Sequence, residues 1–156
     1  MAKFLVILFV ALNISQNFIY SISYIPTDSM HPTIPAKSIA VFQRFDIEPQ
    51  AGSIFLVAIP GKFSPYVKMG IAREGDIVQW DKTSISVNNR RVRVDPEACG
   101  QLKEINQFMT DFTGKLRVPK DHMFMIGTNF CNSEDSRIFG TIDIKNIKGV
   151  YKWKLN

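Results

Sequence analysis

The sequence predicts a mainly β protein, a compact antiparallel β-barrel or sandwich, with one N-terminal transmembrane helix. Short runs of β-branched and aromatic residues recur along most of the chain, separated by Gly, Pro and Asp. A fair helical period occurs over one stretch, about 97–113, which reads equally as an irregular excursion carrying Cys99. No charged residue occurs between Phe4 and Ile25. A chain of 156 residues holds one ordinary domain plus a short appendage. The expected division is an anchor over 1–25 and an extracytoplasmic domain over 26–156.

The N-terminal segment comes first. Phe4 to Leu12 is purely apolar and Lys3 precedes it. A helix needs about 20 apolar residues to cross a bilayer core. The stretch is long enough, although Asn13, Gln16 and Asn17 weaken its second half. The other reading is a cleavable leader, whose apolar region runs to about 7–15 residues. Ser21-Ile22-Ser23 makes a poor cleavage site, and a cut there would leave Ser29 beside a new terminus. A retained anchor is therefore favoured. In both readings the rest of the chain is exported, with Lys3 on the cytoplasmic side. The expected location is the inner (cytoplasmic) membrane, single-pass, with the domain on the periplasmic or extracytoplasmic side. There Cys99 and Cys131 meet oxidising conditions. The sequence leaves open whether they are bridged.

The strands follow in order as 38–43, 53–59, 66–71 and 76–80. "SISVNNRRVRV" (84–94) alternates on both sides of Asn88-Asn89, residues that tolerate positive φ, and predicts a β-hairpin. Residues 115–127 read as strand, turn at Pro119 to Asp121, and strand; 149–155 closes the chain as another. The net charge of +5 is spread, apart from Arg90, Arg91 and Arg93. Nucleic-acid readers show denser basic clusters with exposed aromatics, so no nucleic-acid partner is expected. A solvated edge, or one facing a bilayer whose anionic headgroups attract cations, is the better match.

"IPTDSMHPTIP" (25–35) places Ser29 on a segment stiffened by Pro26, Pro32 and Pro35. It reads as an extended strand and turn. A serine hydroxyl needs a neighbouring base to attack an amide. His31, two residues on, projects like Ser29 but stands too far away in an extended chain for a direct bond, and neither it nor His122 has an evident orienting carboxylate. Lys68, among Tyr66, Val67, Met69 and Ile71, is the other option. Burial would disfavour its ammonium, and serine–lysine pairs are a variant of the triad logic. An edge-strand lysine that discourages aggregation is the competing reading. A third segment, "FMIGTNFCNSEDSRIFG" (124–140), runs from an apolar strand through a glycine into a polar turn.

Together the three segments resemble the type I signal peptidases. "TDSMHPTI" is similar to their serine box, "YVKMGIAREGDIV" to their lysine box, and "GTNFCNSEDSRIFG" to their Gly-Asp-Asn…Ser-x-Asp-Ser-Arg box. "SVNNRRV" stands where the family carries a Val-Asn-Gly turn. The boxes follow in the family's order after an N-terminal anchor and cover most of the chain. Size and spacing look closest to the conjugal-transfer, TraF-type branch, which matures pilin precursors.

The resemblance implies a membrane-anchored serine endopeptidase that cleaves signal peptides or matures an exported pilin-like precursor, as in conjugal transfer or type IV secretion, without cofactor or metal. It implies Ser29 as nucleophile and Lys68 as general base and then acid. The Ser29 N–H and the Thr27 hydroxyl would form the oxyanion hole. Ser133 would orient the Lys68 amine, Asp135 and Arg137 would brace the loop, and Met30 would shape an apolar floor. The substrate would add as a strand beside those bearing Ser29 and Lys68. Thr128, Met69, Phe130, Cys131 and Asp28 depart from the usual pattern. A catalytically silent, membrane-tethered β-domain serving a secretion apparatus is the alternative.

Overall fold

The computed structural model describes residues 19–94 and 113–155. Their architecture is two antiparallel sheets. The larger takes the order β1 (Tyr20–Ile25), β2 (Ser38–Gln43), β11 (Ile147–Leu155), β3 (Ile54–Val57), β4 (Tyr66–Arg73), β9 (His122–Ile126), β10 (Ile142–Asp143). The smaller takes the order β7 (Arg90–Arg91), β6 (Ile85–Val87), β5 (Ile77–Trp80), β8 (Gly114–Arg117). A single helical turn, α1 (Ser136–Phe139), precedes β10. The mainly β, antiparallel expectation holds.

The two sheets are joined where the chain crosses twice between them, from β4 into β5 and from β8 into β9. The crossings lie side by side: Gly75 N–H donates to Val118 O at 3.0 Å, and Val118 N–H to Asp76 O at 2.8 Å. Between the sheets Ile71, Phe124 and Ile126 of the larger pack with Val78 and Ile85 of the smaller. The predicted hairpin is present, with Val87 opposite Arg90 and both Asn88 and Asn89 at positive φ. That is the geometry a two-residue turn needs to match strand twist.

Three segments differ from the sequence expectation. Residues 20–25, assigned to the anchor, are strand β1, paired along its length with β2. Their alternation "YSISYI" fits a strand with one face toward the core. Residues 1–18 lie outside the described residues, and no described helix is long and apolar enough to cross a membrane. The segment 26–37 is the β1–β2 connection and is not extended. It is closed by Lys37 N–H to Ile25 O at 2.7 Å and coiled by His31 N–H to Asp28 O and Ile34 N–H to Met30 O. Proline fixes φ near a value that turns share with extended chain, so its stiffness did not distinguish the two. The stretch at 97–113 falls almost wholly outside the described residues.

Among the described residues, β1 and the start of β4 each present a stretch of strand edge that no other strand pairs. β1 is an outer strand, bonded to β2 alone. Tyr66, Val67 and Lys68 pair with Val57, Leu56 and Phe55 of β3, whereas β9 meets β4 only from Met69 onward.

Candidate active site

Ser29 lies in the β1–β2 connection, with Met30 beneath it fully buried among Ile25, Ile34, Ala40, Phe42 and Leu56. Met30 anchors the turn to the core but does not line the cleft, whose apolar floor comes from Ile25, Leu56 and Val67. Lys68 rises from β4, 3 % exposed, and its Nζ is 3.0 Å from Ser29 Oγ. The sequence pairing of this serine with this lysine is thus met in space. Burial pushes the Lys68 amine down from 10.5 to about 8, against the opposing pull of Asp135 and Glu134 and with a smaller contribution from Arg137. Roughly a tenth of the amine is then neutral at pH 7. His31 is exposed, and His122 directs Nδ1 to Lys120 O.

The cleft, about 560 Å³, runs between the end of β1 (Ser23 to Thr27) and the start of β4 (Ser64 to Lys68), with Ser29 at its base. Thr27 Oγ1 is 3.4 Å from Ser29 Oγ. The Ser29 turn is clamped from the 127–129 segment. Asn129 N–H donates to Ser29 O at 3.1 Å, Asn129 Nδ2 to Asp28 O at 3.1 Å, and Thr128 Oγ1 to His31 O at 3.3 Å. Thr128, a departure from the family pattern, therefore holds the Ser29 turn.

Beneath the clamp, Asp135 and Arg137 form a buried pair with Nε to Oδ1 at 2.8 Å and a second bond to Oδ2 at 2.8 Å. Asp135 also accepts from Gly127 N–H at 3.0 Å. Arg137 donates to Phe130 O and lies 3.8 Å over the Phe130 ring, so Phe130 belongs to this brace. Cys131 is disulfide-bonded; the chain's other cysteine, Cys99, lies outside the described residues. Asp28 accepts from Ala36 N–H at 3.4 Å. Ser133 is in the same loop, but its buried hydroxyl has no hydrogen-bond partner, and the expected bond to Lys68 is not formed.

Gly127 carries weight that its sequence position did not reveal. A methyl group there would overlap both Ser133 Oγ and the Ser29 carbonyl oxygen. The backbone oxygen cannot move without dragging Ser29 with it. Gly127→Ala is expected to lower kcat/KM about 100-fold, the scale of a 1 Å misplacement, in a peptide-cleavage assay. Unchanged kinetics would show that the clamp tolerates displacement.

With this geometry in view, the comparisons decide the family. A family model described as "Signal peptidase, peptidase S26" matches residues 1–155. The chain belongs to this family. It is a serine endopeptidase. It is 30 % identical to "Signal peptidase I S" of Bacillus subtilis, over 97 % of this chain and 85 % of the relative. It is 24 % identical to a signal peptidase I of Pseudomonas fluorescens, over 95 % of this chain and 65 % of the relative. The crystal structure of a signal peptidase I from Enterococcus faecalis V583 superposes with a TM-score of 0.50 at 22 % identity, covering 67 % of this chain and 97 % of that one. That likeness bears on the fold of this peptidase alone.

Proposed function

We propose that the chain cleaves signal peptides from exported precursors through a Ser29–Lys68 dyad. The observation that carries this is the buried Lys68 amine within hydrogen-bond distance of Ser29 Oγ, at the base of a cleft flanked by two unpaired strand edges. In its neutral form the amine accepts the Ser29 proton while Oγ attacks the scissile carbonyl. The Ser29 N–H and the Thr27 hydroxyl are assigned to the developing oxyanion. The lysine proton passes to the leaving amine, and an acyl-enzyme remains. Lys68 then takes a proton from water as it attacks the ester, and returns that proton to Ser29 Oγ as the acyl–oxygen bond breaks, which releases the carboxylic acid product and restores both residues. Ser133, with a hydroxyl free to turn, is assigned to hold the amine while Ser29 is acylated. A substrate segment adds as a strand along the free edges of β1 and β4.

A membrane setting belongs to the same proposal. Tyr20, Ile22 and Tyr24 of β1, Ile39 of β2, and Trp153 and Leu155 of β11 are exposed large apolar side chains. Register places Tyr24, Ile39 and Leu155 in one row and Ile22 and Trp153 in the next, so they share a sheet face. That face continues directly from the charge-free segment assigned as anchor, and apolar area of this kind marks a membrane or protein contact.

The test is to express the full chain in membranes with an exported precursor bearing a small-x-small site, and to follow precursor mass beside Ser29→Ala. A pilin-like precursor runs in parallel, because the narrower proposal of pilin maturation in conjugal transfer rests on the resemblance to that branch. Only the unaltered chain is expected to shorten a precursor. Its rate should climb about tenfold per pH unit below the Lys68 pKa of about 8 and level off above it, since the neutral amine is the working form. Cleavage by Ser29→Ala, or a flat profile, would overturn the dyad. Folded chain that cleaves neither precursor would favour the binding-domain alternative.

A further inference from the structure

Glu134 lines the catalytic cleft yet has no role in the dyad. Its carboxylate is held from two sides. Lys62 Nζ lies 2.6 Å from Oε1, and the Tyr66 hydroxyl donates to Oε2 at 2.8 Å. Tyr66 stands two residues before Lys68 on β4, so the two side chains rise from one face of the strand. Lys68 Nζ is 5.5 Å from the centre of the Tyr66 ring. Glu134 is thus tied, through a ring lying against the base, to the strand that carries the base.

The other groups around the amine leave Glu134 in a distinct position. Asp135 pulls on the amine more strongly than Glu134 does, but it is locked in a closed, buried pair with Arg137, which offsets part of its field. The Ser29 turn presents hydroxyls, while Asp28 meets Ala36 N–H. β3 places Phe55 opposite Lys68. Glu134 is a carboxylate facing Lys68 whose compensating cation, Lys62, is itself some 40 % exposed and outside the buried brace.

Resting on the dyad reading above, we propose that Glu134 is a positioning residue for Lys68: its carboxylate, shared between Lys62 and Tyr66, sets how readily the amine accepts the Ser29 proton. The physical basis is a contest at one nitrogen. Burial favours the neutral amine, and a nearby carboxylate favours the ammonium. Lys62 draws on the same carboxylate from the solvent side and tempers its field. The two members of the ion pair therefore act on Lys68 with opposite sign, whereas a purely mechanical brace would act with the same sign whichever member were removed.

That difference defines the experiment. For the full chain, kcat/KM is measured from mildly acidic to alkaline pH with a peptide uncharged around a small-x-small site, comparing unaltered protein, Glu134→Gln, Lys62→Met and Lys68→Met. For Glu134→Gln the rising limb should move to lower pH, with the plateau kept and the rate at neutral pH about twofold higher. For Lys62→Met the limb should move to higher pH, with the neutral rate about twofold lower. Both displacements should shrink at high salt, because the pair faces solvent. Limbs that stay in place, or move the same way in both variants, would overturn the proposal and leave Glu134 a loop brace. A different result belongs to the dyad itself: if unaltered protein shows no rising limb, or Lys68→Met remains active, that reading fails and takes this one with it.

Discussion

Lys68→Met is expected to abolish cleavage and, at neutral pH, to make the folded domain harder to unfold. The first half follows from losing the proposed base, whose amine lies 3.0 Å from Ser29 Oγ. The second follows from the amine's surroundings. Its pKa falls from 10.5 in the unfolded chain to about 8 in the fold, chiefly because burial disfavours the charged form. At 1.36 kcal/mol per unit, this corresponds to about 3 kcal/mol. The sign is set by proton counts. Between about pH 8 and 10.5 the unfolded chain binds the proton and the folded one does not, so stability rises with pH in that window. Below about 8 both states carry it, and the whole burden of the buried ammonium is present. Methionine is of similar length and uncharged, so its advantage should be largest below pH 8 and vanish above 10.5. The lost contact with Ser29 makes 3 kcal/mol an upper bound. Urea unfolding across this range, beside the cleavage assay, checks both halves. A stability difference that does not change with pH would mean that Lys68 is solvated in the fold.

Asp135→Ala is expected to have the largest effect on the fold. The carboxylate is fully buried, paired with Arg137, and accepts the Gly127 N–H. Removing it leaves a buried guanidinium without its counter-charge and frees the residue that packs against Ser29 and Ser133. Breaking such a pair from one side costs about 3–5 kcal/mol, a large part of the roughly 5–15 kcal/mol that holds a domain together. Activity should fall with it, as the Ser29 clamp loosens. Asp135→Ala combined with Arg137→Met should recover part of the loss, because the orphaned charge goes too. A single-variant change below about 1 kcal/mol in urea unfolding would mean that solvent reaches the pair.

Local patterning made much of the fold legible. β2 spans the predicted 38–43, and Asn88-Asn89 form the predicted turn, because short β-branched runs and positive-φ residues carry their own signals. β1 was hidden because "YSISYI" continues a charge-free segment, and its small serines alternate beneath a uniform hydropathy. The proximity of Ser29 and Lys68 was legible through the resemblance of three boxes, not through spacing: they stand 39 positions apart. The roles of Gly127 and Glu134 were not. One depends on what a missing side chain leaves room for. The other depends on partners 68 and 72 positions away along the chain.

The open edges beside the cleft have a further consequence. An unpaired edge ordinarily invites indiscriminate sticking, but the one on β4 is short. Proline follows β1 at Pro26 and precedes β4 at Pro65, and β9 covers β4 from Met69 onward. The backbone window facing a bound segment is therefore roughly three residues, Tyr66 to Lys68. A protein built this way reads a short word. Sequences that differ everywhere else can spell it, so the place where a chain is held counts for as much as what it says.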